Sequence, residues 1–313
     1  MQKTINGIEN LKDKFPYPVL ALGNFDGVHI GHQLIFRMLV ERARKKKGTS
    51  IACTFEPHPL RIIAPDRAPK LLTPFKDKVN IIKELGVDIV VCVNFTREFA
   101  NIRAEEFVRE ILCKTFGVKE VFIGANYHFG KGRKGSPELL SELGMECGFK
   151  VTVVDEVKLH DMAVSSSRIR TLIAKGKLED ASFCLGRYYS VVGIVIEGAK
   201  RGRSLLEVPT ANIAVFNELL PQDGVYAVTV ELDGKLYDGA ANIGYNPTFE
   251  EKKFSFEVHM LNFNRDILGK TLRVNFIERI RDEIKFSDAE DLKVQMKKDI
   301  EEIVQVLKKI HRK

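Results

Sequence analysis

No apolar stretch in the 313 residues approaches the roughly 18 that a membrane-spanning helix requires, and Met1 to Phe15 is too polar for a secretion signal. A cytoplasmic setting is expected, with no membrane among the partners. Glycine (23) and proline (11) are too sparse for a fibrous or low-complexity chain. Cysteine is scarce too: Cys53, Cys92, Cys113, Cys147 and Cys184 are odd in number and hold no CxxC pair, which argues against a zinc site or redox dithiol. They are expected as reduced, buried small hydrophobes. There is no internal repeat and no long linker. Lysine plus arginine (49) exceeds aspartate plus glutamate (42), and the net charge of +7 favours anionic partners such as nucleotides or nucleic acid. The run Arg42 to Lys47 falls at the end of a predicted helix, where the dipole favours cations, and is expected as a solvated helix end.

What remains is a globular mixture, 44% hydrophobic and 29% charged. At roughly 150 residues per domain the length predicts two domains. From Tyr17 to Leu185 short apolar runs alternate with amphipathic stretches. Strands are predicted at Val19–Leu22, Ile51–Phe55, Val87–Val93, Val121–Ile123 and Val151–Val154. Helices are predicted through Leu34, Ile35, Met38 and Leu39, after Thr73 and Pro74, and through Phe107, Ile111 and Leu112. Strands apolar on both faces, separated by helices, make a parallel α/β sheet, whose ligands sit beyond the strand carboxyl ends. After Gly186 the period changes to two, at Tyr189–Glu197, Val225–Leu232, Lys235–Asn242, Phe254–Met260 and Thr271–Ile280, which predicts a small β-barrel. A terminal helix follows. Its capping box is Ser287 with Glu290, and its stripe of Leu292, Met296, Ile300, Ile303 and Leu307 is expected to cover a barrel face. The domain boundary is placed between residues 185 and 186.

Two constellations carry chemistry. The first is Gly23-Asn24-Phe25-Asp26-Gly27-Val28-His29-Ile30-Gly31-His32, between the first apolar strand and the first helix. Glycines admit close backbone approach, a helix start offers free N–H donors, and imidazoles three apart share a face, which together suit phosphate. A capping turn with two surface histidines fits the pair as well when it is taken alone. The His29-Ile30-Gly31-His32 run resembles that of the HxGH nucleotidyltransferases, which also carry a late Ser-Ser/Thr-x-x-Arg motif for the outgoing phosphates. Here Ser165-Ser166-Ser167-Arg168-Ile169-Arg170 opens the last helix of the domain; by itself it also reads as a plain N-cap. Gly130-Lys131-Gly132 is no P-loop, because no Ser or Thr follows the lysine. The segment Gly124 to Gly130, with Asn126, follows a strand and either lines the ligand crevice or is simply a glycine-rich loop.

The second constellation is Thr210 and Asn212, two apart on an extended chain and both offering oxygen to a hard cation such as Mg²⁺. With it goes Glu257 on the polar face of a strand, a candidate general base for a substrate hydroxyl, though a lone strand glutamate is ordinarily just solvated.

With Thr54-Phe55-Glu56-Pro57-His58-Pro59, Leu185-Gly186-Arg187, Gly224-Val225-Tyr226, Asn242-Ile243-Gly244, Pro247-Thr248-Phe249 and Arg279 to Phe286, nearly the whole chain resembles the prokaryotic bifunctional riboflavin kinase and FMN adenylyltransferase family, also called FAD synthetase. The resemblance implies a Rossmann-like nucleotidyltransferase domain over residues 1–185 and a riboflavin kinase barrel over residues 186–313. It implies small-molecule substrates, ATP, riboflavin and FMN, with Mg²⁺. In the first domain it implies catalytic His29 and His32, ATP or phosphate contacts at Gly23, Asn24, Phe25, Asp26, Gly31, Ser165, Ser166 and Arg170, and flavin contact at Asn126. In the second it implies Glu257 as base, Thr210 and Asn212 at the metal, and Arg279 and Arg281 on the flavin. The run Gly202-Arg203-Ser204-Leu205-Leu206-Glu207-Val208-Pro209-Thr210 departs from the family's pattern by one added residue and a lost glycine. That departure leaves a monofunctional adenylyltransferase with an impaired barrel as the alternative. A transferase adenylylating some other phosphate is a further one. A basic RNA-binding or flavin-sensing module is a third, without a recognised RNA-binding signature to support it. The oligomeric state is left open.

Overall fold

Strands that are apolar on both sides need cover on both sides, and the first half of the chain is built to supply it. The structure, a computed structural model, describes residues 2–11, 14–197, 210–247, 252–284, 286 and 289–311. The loop at 202–209, Thr248, Phe249 and the capping residue Ser287 lie outside these. Contacts divide the chain into two units, Met1–Ser166 and Ser167–Lys313.

In the first unit β1 (Lys3–Asn6), β2 (Pro18–Leu22), β3 (Thr49–Glu56), β4 (Ile89–Asn94), β5 (Glu120–Gly124) and β6 (Lys150–Val154) form one sheet in the order β1-β4-β3-β2-β5-β6. Every pairing is parallel. Strand β1 precedes the expected start at Tyr17. Its single buried apolar residue, Ile5, gave no periodic signal. Alternate residues split between two cores: Leu20, Leu22, Ile51, Cys53 and Val91 join one, and Val19, Ala21, Ala52 and Val90 the other. Helices α1 (Ile30–Lys45) and α3 (Phe75–Glu84) pack on the second core through Phe36, Leu39, Val79 and Ile82, with the short α2 (Pro59–Ile63) between them in sequence. The first core is closed by α4 (Arg97–Ala100), α5 (Ala104–Glu106) with its π-helical continuation Phe107–Thr115, and α6 (Pro137–Cys147). In the π segment the Phe116 N–H donates to the Ile111 carbonyl at 2.9 Å, five residues back, whereas the spacing predicted an ordinary helix.

Two expectations change. Arg42 does not end α1 in solvent alone: its Nε meets both Glu120 oxygens at 2.8 and 2.7 Å, and the Tyr17 hydroxyl donates to the same carboxylate at 2.8 Å. Burial raises the Glu120 pKa, but the Arg42 and Tyr17 bonds outweigh it and the net shift is downward. Of the five free cysteines, Cys53, Cys92 and Cys184 are buried, while Cys113 and Cys147 are only half-buried.

A small hairpin, β7 (Lys158–Leu159) with β8 (Met162–Ala163), leads to α7 (Ser166–Ala174) and α8 (Leu178–Leu185). Their contacts group Ser167 onward with the barrel. The barrel is closed, β10-β13-β12-β11-β14-β9, from β9 (Tyr189–Ile196), β10 (Ala211–Val215), β11 (Gly224–Leu232), β12 (Lys235–Pro247), β13 (Lys252–Met260) and β14 (Thr271–Arg281). Tyr226, Phe256 and Phe276 meet inside it, and the period-two pattern turns alternate residues outward. Helix α9 (Ala289–His311) covers the outer face at Val225, Ala227 and Ile277 through Ile303, Val306 and Leu307. Leu292, Met296 and Ile300 of the expected stripe are half-buried.

Candidate active sites

In the parallel sheet the chain winds from β2 to β3 to β4 on one side, then returns to place β5 on the other side of β2. The strand order thus reverses between β2 and β5, and loops leaving such a point flank a ligand crevice. The two loops that leave there are Gly23–His29 and Gly124–Gly130.

The first loop is tightly determined. Phe25 and Val28 have φ of 50° and 40°, left-handed values that non-glycine residues adopt only when the surroundings compel them. The compulsion comes from below. Phe25 is 2% exposed and meets Phe36 at 4.6 Å and, edge-on, the His32 ring at 5.2 Å. Phe25 is therefore the floor under the histidines. A Cβ at Gly23 would lie 2.8 Å from the Phe25 ring, so glycine there makes room for that floor. Asp26 is buried, and its carboxylate accepts the Leu72 N–H at 3.0 and 3.1 Å and the Thr73 N–H at 3.4 Å. That carboxylate ties the loop to the segment before α3. The Asn24 carbonyl accepts from Thr54 Oγ1 at 3.0 Å and Lys78 Nζ at 3.2 Å, while its exposed amide lies 3.5 Å from His58 Nε2.

His29 caps α1: its Nδ1 accepts the His32 N–H at 3.4 Å, which leaves the ring proton of the neutral form on Nε2. The two imidazoles stack at 3.6 Å with planes 21° apart. A Cβ at Gly31 would stand 3.2 Å from His29 ring atoms, tight enough to displace the ring. Burial, then the neighbouring His29 and Lys78, hold the His32 pKa well below the ordinary histidine value. His32 Nδ1 is buried without a hydrogen-bond partner, a condition that a ligand acceptor or donor would relieve. Imidazole N–H donors, free helix N–H groups and a strained glycine-rich turn can bind phosphate and stabilise charge developing on it.

Ser166 Oγ donates to the Asp26 carbonyl at 2.9 Å, so the start of α7 and the histidine loop are joined although 140 residues separate the partners. Ser165 and Arg170 are half-buried. Asn126 is exposed on the second loop, and its amide donates to Glu156 Oε1. Lys78 and Thr54 are the residues that sequence reasoning missed as parts of this site. A lysine in an amphipathic helix reads as solvent-facing, and only the packing reveals it buried. Two shallow clefts of about 380 and 390 Å³ open beside the carboxyl end of β4, sharing Asn94, Thr96 and Glu98, away from the histidine pair.

In the barrel the register aligns Asn212 with Glu257 and Glu257 with Asn242. Directly opposed residues on antiparallel strands share a face with Cβ atoms about 4.5–5.5 Å apart, so the three form one row on the outer wall. The inward neighbours Ile213, Ile243, Phe256 and Val258 are buried. Ser255 Oγ donates to Glu257 Oε1 at 3.0 Å, and Thr210, two before Asn212, is exposed. Among the described residues no cluster of three or more His, Cys, Asp or Glu side chains suits a metal. A hydroxyl, a carboxamide and a neighbouring carboxylate are all hard oxygen donors, which fits Mg²⁺ held chiefly by waters and phosphates.

The arginines expected on the flavin both have partners within the barrel unit. Arg281 grips Asp299 of α9 with Nε at 2.9 and 3.0 Å and a second nitrogen at 2.7 Å, which fastens that helix to the barrel. Arg279 donates to Tyr226 Oη at 3.3 Å, to the Asp223 carbonyl and to Asp282.

Against this geometry stand the comparisons with known proteins. A family model described as FAD synthetase matches residues 12–168, and one described as riboflavin kinase matches residues 185–307. A bifunctional riboflavin kinase/FMN adenylyltransferase of Bacillus subtilis is 37% identical over 300 residues, covering 94% of each chain. Its counterpart in Escherichia coli K12 is 38% identical over 300 residues, covering 95% of each. A solved structure described as a macrolide-efflux protein from Streptococcus pneumoniae superposes with a TM-score of 0.86 at 32% identity, over 95% of this chain and 97% of that one.

Proposed function

Because the chain belongs to the bifunctional riboflavin kinase/FMN adenylyltransferase family, with both family domains present, we propose that its two reactions are divided between the two constellations described above. The enzyme phosphorylates riboflavin with ATP to give FMN and ADP, and it joins FMN to the adenylyl group of a second ATP to give FAD and pyrophosphate. We place the functional division at residues 185 and 186, beside the start of the matched kinase region and after α8.

The nucleophiles account for the difference between the sites. An alcohol must lose a proton as it attacks the γ-phosphate, and Glu257 is the carboxylate positioned to take it. Asn212 and Asn242 flank that carboxylate, and Ser255 orients it. The phosphate of FMN is already anionic and needs placement and charge stabilisation rather than a base. His29 and His32, the N–H groups at the start of α1 and Ser166 supply these at the α-phosphate, while Phe25 and Asp26 hold the loop from behind. Asn126 stands at the flavin side of the same crevice. Thr210 and Asn212 would hold Mg²⁺, which when bound neutralises phosphate charge. A cytoplasmic setting agrees with five unpaired thiols. Among the described residues no helix is long and apolar enough to cross a membrane.

The observation that carries the adenylylation site is the buried, unpartnered Nδ1 of His32 at the sheet's switch point. The test is incubation with riboflavin, ATP and Mg²⁺, followed by chromatographic separation of the flavins. FMN accumulates first and FAD follows, and chelation of the divalent ion stops both. Conversion of supplied FMN but not of riboflavin would overturn the bifunctional assignment.

A further inference from the structure

Lys78 is the one buried lysine among the described residues, at 6% exposure, and its Nζ reaches the histidine loop at Asn24. Its Nζ donates to the Asn24 carbonyl at 3.2 Å and to Thr54 Oγ1 at 3.0 Å, and Thr54 Oγ1 itself donates to the Asn24 carbonyl at 3.0 Å. These contacts close a triangle across the ends of β2, β3 and α3. An ammonium has three donors, and two have partners here. Among the described residues no carboxylate forms an ion pair with it, and the Phe75 ring lies 5.2 Å from its Nζ; burial holds the Lys78 pKa below the ordinary lysine value, and Glu56, Asp26 and Cys92 act the other way without reversing the shift. A buried cation without a paired anion is costly, and an anion bound nearby would offset that cost.

We propose that Lys78 is a positioning residue for the adenylyl transfer: it holds the Asn24 carbonyl so that the turn into His29 and His32 keeps its shape, and it keeps a positive charge beneath the phosphate. The assignment rests on the reading of this loop as the adenylylation site. It goes further by giving the charge a second duty. The groups acting on the His32 ring are His29, stacked on it, and Lys78 from α3, while Phe25 packs against its edge. Both charged neighbours disfavour the imidazolium. Lys78 therefore helps hold His32 neutral, with one ring N–H to donate to a phosphate oxygen.

The test uses the full chain. In Lys78→Met, which keeps an unbranched side chain one atom shorter and drops the charge, kcat/KM for FMN adenylylation falls at least about tenfold, as misplacement near the chemistry does. Riboflavin phosphorylation stays within about twofold, since surfaces away from the change are undisturbed. The His32 ring, followed by NMR, titrates at higher pH than in the wild type. Thr54→Val removes one leg of the triangle and keeps the charge, so it leaves that titration in place. A His32 titration unmoved by Lys78→Met, in a wild type that makes FAD, overturns the proposal alone. Failure of the wild type to make FAD overturns the site reading and the proposal with it. Should Lys78→Met not fold, the wild type decides: inorganic pyrophosphate must shift both the Lys78 ε-methylene and His32 ring resonances, and the absence of a shift at Lys78 refutes the role.

Discussion

Removing the Asp26 carboxylate is the sharpest perturbation of the histidine loop, because that carboxylate is buried and holds backbone N–H groups of the segment before α3. In Asp26→Ala the buried N–H groups of Leu72 and Thr73 lose their acceptor. Each buried donor left unsatisfied costs about 1–3 kcal/mol, so the pair should cost roughly 2–5 kcal/mol, with the weaker Thr73 contact favouring the lower half. For a unit of this size, at roughly 2–4 °C per kcal/mol, the melting temperature of the first unit falls by about 5–15 °C. Asp26→Asn keeps one oxygen acceptor and should lose about half as much. Calorimetry on the full chain reads the melting, and the two flavin products read the chemistry: adenylylation declines as the loop loosens, and phosphorylation persists. An unchanged melting temperature combined with a raised KM for ATP alone would refute the reasoning, since it would mean that the carboxylate faces the nucleotide.

Other outcomes follow from the same geometry. His32→Ala nearly abolishes FAD formation from FMN while riboflavin is still phosphorylated; equal loss of both reactions rejects one site per constellation. Glu257→Gln slows phosphorylation by about 10²–10⁴-fold, the usual worth of a general base, and leaves adenylylation intact; wild-type FMN production would place the base elsewhere. Arg281→Ala leaves the buried Asp299 carboxylate of α9 with Gln295 but without its cation and destabilises the second unit by about 2–3 kcal/mol, and adding Asp299→Ala recovers part of the loss in a double-mutant cycle. Burial and positive neighbours depress the His32 pKa below the ordinary 6.5. Below pH 6.5 the unfolded chain therefore binds protons at this ring that the folded chain refuses, and the stability present at neutral pH is lost as pH falls through that window. His32→Asn removes this part of the slope, which thermal melts between pH 7 and pH 5 will show.

The sequence by itself determined the two architectures and most of the strands that build them, though not β1 or β10. Apolar runs such as Ile51–Phe55 read as strands covered on both faces, and the alternation from Phe254 to Met260 reads as a wall with one side inward, because strand side chains alternate whatever surrounds them. The His29-Ile30-Gly31-His32 run, the serine motif and the Thr210–Asn212 pair were legible for the same reason: each depends on neighbours within a few residues. Only the tertiary structure decided which distant groups meet. It put Ser166 on the Asp26 carbonyl, aligned Asn212 and Asn242 on either side of Glu257, took Arg281 for Asp299 and Arg42 for Glu120, and buried Lys78 under the loop. Charged side chains are assigned to solvent by local pattern. Their true partners lie across the fold, and burial, which sets whether an ion is paired or its pKa displaced, exists only once the layers have packed.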